Sequence, residues 1–263
     1  MLTNDLVALQ ERAISLALEA GEAILSVYHS ADFGTSAKED HSPLTLADQQ
    51  AHVIIAQGLL PTQLPLLSEE GLHTPFAERK QWDYFWLVDP LDGTKEFIKK
   101  NGEFTVNIAL IHQQKPVLGV VYAPVLGKLY AALQGRGAFR QENKARFRLN
   151  KRENPPRPEV FKIFASRSHM NEATRAFIDR YPNFEEVHMG SSLKFMHIAE
   201  GQAHLYPRVA PTMEWDTAAA QVIVEETGGQ VLHFETGQSL HYNKENLLNP
   251  HFVVYGHLHY QPL

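Results

Sequence analysis

The run Tyr84-Phe85-Trp86-Leu87-Val88 leads directly into Asp89-Pro90-Leu91-Asp92-Gly93-Thr94, and this stretch limits the folding of the chain more than any other. A short apolar run closed by a stop signal reads as a strand buried on both faces. Pro90 lacks the N–H that a ladder needs and holds Asp89 in extended backbone, so the strand is expected to stop at Asp89-Pro90. A core strand therefore delivers two carboxylates to the edge of a sheet. A tight turn can bring Asp92 back beside Asp89, with the Leu91 carbonyl between them as a third hard oxygen of the kind magnesium prefers. Gly93 lets backbone N–H groups approach an anion closely, and Thr94 adds a hydroxyl near an expected helix start. The plain alternative is an acidic surface turn, which is what an isolated Asp-Gly usually makes.

Around this segment, helical and extended patterns alternate. Leu6, Leu9, Ala13, Leu16, Ala17, Ala20, Ala23, Ile24 and Val27 recur at helical spacing, with Asn4 as the cap. Thr45 is expected to cap a second helix running to about Leu60, with Val53, Ile54 and Ala56 as its apolar contacts. Residues 104–111, 117–122 and 129–133 read as strands, the first two joined by a polar turn at 112–116. The Pro-rich piece 154–158 is the clearest break in composition. Beyond it, strands are expected at 160–165, 203–206, 231–234 and 252–255, and helices at 171–180, 193–200 and 216–226. The first part, 1–153, thus combines helices with an antiparallel sheet, and the second, 159–263, is an α/β unit. With 263 residues the two can share one core, giving a layered α/β (α+β) body with a site between its halves.

Composition removes several kinds of chemistry. There is no cysteine, which excludes a disulfide framework, a thiolate metal site and a cysteine nucleophile. The net charge of −6 argues against a broad surface for nucleic acid, while leaving room for a small basic pocket. Asp5, Glu11, Arg12, Glu19 and Glu22 interrupt the first helical stretch, so neither a signal peptide nor an integral membrane segment is expected, and a cytoplasmic location is the default.

Other acids lie at suggestive places, each with an ordinary explanation. Glu69-Glu70 follows the short apolar run 64–67, where a solvated turn is the usual outcome. Asp216 opens a small-residue helix and could simply be its N-cap or first-turn acid. Asp48, three residues after Thr45, could be a capping-box partner. Their combination is what the ordinary explanations account for poorly.

Taken together, Glu69-Glu70, Asp89-Pro90-Leu91-Asp92-Gly93-Thr94 and Trp215-Asp216-Thr217-Ala218-Ala219 resemble the inositol monophosphatase superfamily of metal-dependent phosphatases, in order along nearly the whole chain. Finer detail resembles its 3'(2'),5'-bisphosphate nucleotidase branch. That detail is Ser42-Pro43-Leu44-Thr45-Leu46-Ala47-Asp48, Thr94-Lys95-Glu96-Phe97-Ile98, 101–109, Ser166-Arg167-Ser168-His169 and Gly190-Ser191-Ser192-Leu193-Lys194-Phe195. The resemblance implies a layered αβαβα sandwich and hydrolysis of the 3'-phosphate of adenosine 3',5'-bisphosphate, as in nucleotide recycling after sulfate assimilation. It implies that Glu69, Asp89, Asp92, Asp216 and the Leu91 carbonyl hold two or three magnesium ions. Asp48 and Thr94 would orient and deprotonate the attacking water, assisted by Glu69 or Glu70, without a phosphoenzyme. Glu69, Asp92, Gly93, Thr94 and Asp216 would also meet the transferred phosphate, and Ser191, Lys194, Arg208 and His169 would face the nucleotide or its second phosphate. The resemblance also implies lithium sensitivity; a monomer and a homodimer both stay open, as does peripheral contact with the inner membrane face.

Rival readings stay open at this level. A helix cap with a solvated lysine would explain Ser191 and Lys194 without any ligand, and Lys95 and Glu96 could form a structural ion pair. Haloacid-dehalogenase phosphatases use an aspartyl nucleophile in Asp-x-Asp, whereas two residues separate the acids here. An inositol monophosphatase or sugar bisphosphatase would share the acidic centre, and a non-catalytic sensor could retain the fold. Of the fourteen histidines, His257 and His259 have alternating spacing but no acidic neighbour, and read as a surface tail. Trp82, Tyr84, Phe85 and Trp86 read as core.

Overall fold

The computed structural model describes residues 3–30, 33–34, 36–37, 43–72, 74–153, 155–165 and 171–261. In chain order the elements are α1 (Thr3–Tyr28), β1 (Ser36–Ala37), β2 (Pro43–Leu44), α2 (Leu46–Leu59), β3 (Leu66–Ser68), α3 (Phe76–Arg79), β4 (Tyr84–Asp92), α4 (Thr94–Ile98), β5 (Thr105–His112), β6 (Lys115–Ala123), β7 (Lys128–Leu133), β8 (Gly137–Glu142), β9 (Ala145–Leu149), β10 (Phe161–Phe164), α5 (Glu172–Ile178), β11 (Phe184–Val187), α6 (Leu193–Ala199), β12 (Leu205–Arg208), α7 (Glu214–Glu226), β13 (Gln230–His233) and β14 (Phe252–Tyr255). Strands β3 to β9 form a seven-stranded sheet in sequence order, and a five-stranded sheet runs β11-β10-β12-β14-β13.

The period of two along β4 explains the layering. Trp86 and Val88 point into a cluster with α1 and α2, through Ala13, Ala17, Ile24, Ala51 and Ile55. Phe85 and Leu87 point the other way, into a cluster with Met196 of α6, with Ala219 and Val222 of α7, and with Val254 and Phe252 of the smaller sheet. The outer face of that sheet packs Ile163, Leu205 and Val253 against Phe177 and Ile178 of α5. The order helix, sheet, helix, sheet, helix is the expected layered sandwich. Gly119 lets its middle layer close, because a Cβ there would strike the Ala219 carbonyl oxygen of α7.

Several local expectations need correction. β4 does not stop at Pro90. It continues to Asp92, because a shift in register absorbs the proline: Asp89 pairs with Asn107 and Asp92 with Thr105. Pro90 and Leu91 therefore stand against Val106 alone, the arrangement of a β-bulge. In a regular strand, residues three apart face opposite sides; here the extra residue turns Asp89 and Asp92 to the side that Asn107 and Thr105 share.

α2 buries Ala47, Ala51, Ile55 and Leu59. Of the expected contacts, Ile54 packs partly buried against the core, whereas Val53 is 48% exposed and does not. α1 starts at Thr3, one residue before the expected cap Asn4. The 112–116 turn is narrower than expected, with Gln113 and Gln114 both left-handed at φ 46° and 66° and Pro116 inside β6. β8 and β9 went unforeseen because their side chains are largely polar and partly or fully exposed, leaving little apolar alternation to read. The C-terminal histidines are no free tail. His257 is buried, its ring bonded to the Glu153 carbonyl at 3.2 Å, and the buried Tyr260 offers its carbonyl to the Tyr181 hydroxyl at 2.9 Å.

Candidate active site

The acids meet where strand ends and one helix start converge. β3 runs parallel to β4, with Ser68 beside Val88. The Glu69 N–H continues that ladder onto the Val88 carbonyl at 3.1 Å, so Glu69 emerges next to Asp89. From the opposite side, α7 begins at Glu214, two residues before the expected start. Asp216 therefore sits in its first turn, where its carboxylate accepts the Met213 N–H at 2.8 Å. The capping explanation is thus correct for one oxygen of Asp216. One carboxylate oxygen each from Glu69, Asp89 and Asp216 lies within 4.8 Å of the others.

Such proximity is costly without a counter-charge. Two unit charges that close repel by about 3 kcal/mol at an effective dielectric of about 20. Burial, and then the charges of Glu69, Asp92 and Asp216, push the Asp89 carboxyl well above the usual carboxylate range. Asp216 is raised in the same way, by burial first and Asp92 next. Two carboxyls raised in this way, with a third carboxylate oxygen from Glu69 beside them, make a hard-oxygen donor set suited to a divalent metal of the magnesium, calcium or manganese type.

Asp92 stands outside this trio. Its Oδ2 accepts the Ser192 N–H at 2.7 Å and the Ser192 hydroxyl at 2.9 Å. Burial raises its carboxyl, while Lys194 and Ser192 pull it the other way. Leu91 spans the two aspartates, donating its N–H to Asp89 Oδ1 at 3.0 Å and turning its carbonyl toward the Thr94 hydroxyl at 3.4 Å. That hydroxyl donates to Asp48 Oδ1 at 3.0 Å, while Asp48 Oδ2 takes the Thr45 N–H at 2.8 Å. Asp48 is therefore both the capping-box partner and the neighbour of Thr94. Gly93, at φ 101°, occupies a left-handed turn, and a Cβ there would lie 3.1 Å from the Glu103 carbonyl and 3.3 Å from Ser191. A glycine is needed at this close crossing.

The other wall of the cleft is cationic. A cavity of about 700 Å³ is bordered by Glu69, Asp92, Thr94 and Asp216 on one side and by Ser191, Lys194 and Arg208 on the other. The Lys194 ammonium donates to the carbonyls of Ser191 at 2.7 Å and Met189 at 3.2 Å, and lies over the Tyr206 ring. Burial pushes it down to about 8, against the opposing pull of Asp92. Ser191 adopts a left-handed φ of 46°. Its Oγ and the Arg208 Nε are both buried without a hydrogen-bond partner. α6 starts at Leu193 with no side-chain cap, so the capping explanation for Ser191 fails. Lys194 is no solvated lysine either.

The remaining sequence candidates fall elsewhere. Glu70 is half-buried in the turn beyond β3 and is not part of the cleft lining. His169 and the rest of 166–170, like Ser42, lie outside the described residues. Glu96 bonds to Lys99 and Asn101, not to Lys95. The sequence reading missed Ser192 and Asn107, although both lie inside segments it quoted. It also missed Tyr206, Met213 and Leu248, which lie in no acidic or basic motif and reach the cleft only through the fold.

The inositol monophosphatase family model matches residues 5–260. The chain is similar to the 3'(2'),5'-bisphosphate nucleotidase CysQ of Salmonella typhimurium, 47% identical over 248 residues that cover 93% of this chain and 98% of that protein. The Escherichia coli K12 protein of the same name is 45% identical, with the same coverage. Among solved structures, CysQ from Bacteroides thetaiotaomicron, described as a bacterial member of the inositol monophosphatase family, superposes with a TM-score of 0.83 at 44% identity, covering 94% of this chain and 97% of that one.

Proposed function

The chain belongs to the inositol monophosphatase family, and from that premise we propose that it hydrolyses the 3'-phosphate of adenosine 3',5'-bisphosphate, releasing AMP and phosphate. It is a phosphoric monoester hydrolase of the 3'(2'),5'-bisphosphate nucleotidase type, acting in nucleotide recycling linked to sulfate assimilation. The family match supports reading the acids outside the haloacid-dehalogenase pattern, so that water rather than an aspartate would attack phosphorus.

One observation carries the assignment of the site: Glu69 and Asp216, crowded against the buried Asp89, line the same cleft as two buried donors with no partner. A phosphate bound together with cations would satisfy both sets. Glu69, Asp89, Asp216, Asp92 and the Leu91 carbonyl would hold the cations, read here as two or three magnesium ions. Bound there, such ions would neutralise charge on phosphate and lower the pKa of water. The Thr94 hydroxyl, held by Asp48, would orient the attacking water, and Asp48 would take its proton through that contact. The Gly93 and Thr94 N–H groups would receive the transferred phosphate. Ser191, Lys194 and Arg208 would bind the second phosphate, by charge-assisted hydrogen bonds. The reading extends to a cytoplasmic monomer or homodimer. Among the described residues no helix is long and apolar enough to cross a membrane, so any contact with the inner membrane face would be peripheral.

Phosphate release from adenosine 3',5'-bisphosphate, inositol 1-phosphate and fructose 1,6-bisphosphate, each with and without magnesium, tests this directly. The bisphosphate nucleotide should be turned over fastest, and only with metal. Faster release from inositol 1-phosphate would refute the substrate assignment while leaving the metal centre standing.

A further inference from the structure

Ser192 lies between the two walls and belongs to neither. It is 1% exposed, yet it is bonded on every side. Its N–H and its hydroxyl both reach Asp92 Oδ2, at 2.7 and 2.9 Å. The same hydroxyl lies 2.9 Å from the Asp216 carbonyl. Asn107 donates its amide to the hydroxyl oxygen at 3.0 Å and is itself held by the Thr105 hydroxyl at 3.0 Å. A serine hydroxyl has one hydrogen. With Asn107 donating into it, that hydrogen is left for Asp92 and the Asp216 carbonyl.

The loop carrying Ser192 is pinned as firmly. Glu103 accepts the Gly190 N–H at 2.7 Å, and Lys194 holds the carbonyls on either side of Gly190. The left-handed turn at Ser191 then brings the next N–H onto Asp92. A purely structural capping role does not account for this, since the Ser192 side chain makes no capping bond to α6.

We propose that Ser192 is a positioning residue that couples the substrate-facing loop 189–192 to the metal centre. By gripping a carboxylate on β4 and the backbone of α7 together, it fixes the spacing of Asp92 and Asp216 and ties that spacing to the placement of Ser191. The proposal rests on the reading of these acids as metal ligands, and its test keeps the two apart.

Mn²⁺ binding to the purified full chain, followed by electron paramagnetic resonance without substrate, compares wild type, Ser192→Ala and Ser192→Thr. Ser192→Ala should bind ~10-fold more weakly, the lower end of what losing a partner of a metal ligand costs. Ser192→Thr retains the hydroxyl and should recover most of the loss. Equal affinity in wild type and Ser192→Ala would overturn the coupling and spare the metal centre; a wild type that binds no Mn²⁺ would overturn both. Amide exchange of the wild type needs no variant. Mg²⁺ alone should slow exchange across 189–193 and leave the β8–β9 hairpin unchanged, and a loop indifferent to metal would also overturn the coupling.

Discussion

The two walls of the cleft are built in opposite ways. On the acidic wall, Glu69 is delivered by the end of β3, Asp89 by the last paired position of β4 before its bulge, and Asp216 by the first turn of a helix. Like charges are held together there by a scaffold that does not yield. On the cationic wall, Ser191 sits in a loop with left-handed backbone, and it and Arg208 keep polar atoms without partners. One wall has charge in excess of what it can neutralise; the other has donors in excess of what it can satisfy. Each lacks what the other's ligand would bring, which is the pattern that a phosphate bound together with cations would satisfy.

Breaking the acidic wall should have the largest effect. Asp89→Asn is expected to lower kcat/KM by ~10³-fold, the several kcal/mol of charge stabilisation that bound metal supplies. The same change relieves repulsion in the metal-free protein, so its Tm should rise by about 2–4 °C for each kcal/mol relieved, read by calorimetry in chelator. A fall in both quantities would mean that the crowding is not frustrated as described. Next in size, Asp48→Asn and Thr94→Val should each lower kcat by ~10²-fold, with little further loss in the double variant, since the two side chains act through one contact. Fully multiplicative losses in single-turnover assays would separate their roles.

The cationic wall should respond in KM instead. Arg208→Gln removes a charged donor and should raise KM for the bisphosphate by ~10-fold or more, with kcat nearly unchanged. The smallest effect concerns pH. Lys194 is pushed down to about 8, so the free protein loses this cation as pH rises through that value. KM should climb above it by up to about one decade per pH unit, and the climb should disappear in Lys194→Met. A pH profile identical in the two proteins would remove Lys194 from the binding wall.

What could be read in advance divides along the same line. Asp89, Asp92, Glu69 and Asp216 stand out in the chain because apolar runs end in acids and a helix of small residues follows. Each alone has an ordinary explanation, and it is the family resemblance of the whole set that joins them; the fold brings Glu69, Asp89 and Asp216 together. Asp48 was legible as a cap, and its second contact with Thr94 follows from bringing α2 against the end of β4. Ser192 and Asn107 were not, because a serine and an asparagine are informative only through their partners, here 100 and 85 residues away along the chain. On α2, Ile54 was read correctly, but Val53 was taken where Ile55 is buried, because all three are apolar and only packing decides which of them faces inward. The layered architecture was recoverable from alternating periods, while the polar hairpin of β8 and β9 had no apolar signature to give it away.

The bulge at Pro90 has one more implication. Facing direction along a strand is a matter of parity, and an aspartate pair at odd separation is tolerated here only because an extra residue restores even parity. Pro90 protects that arithmetic by omission, since a residue with an N–H would offer the neighbouring strand a hydrogen bond in the unbulged alignment. Deleting one residue between the two aspartates would be milder than it looks, because the shorter pair would already be even. Replacing Pro90 keeps the length and would be the more dangerous edit, since a slip there would swing Asp92 out of the cleft and toward the helices on the far side of the sheet.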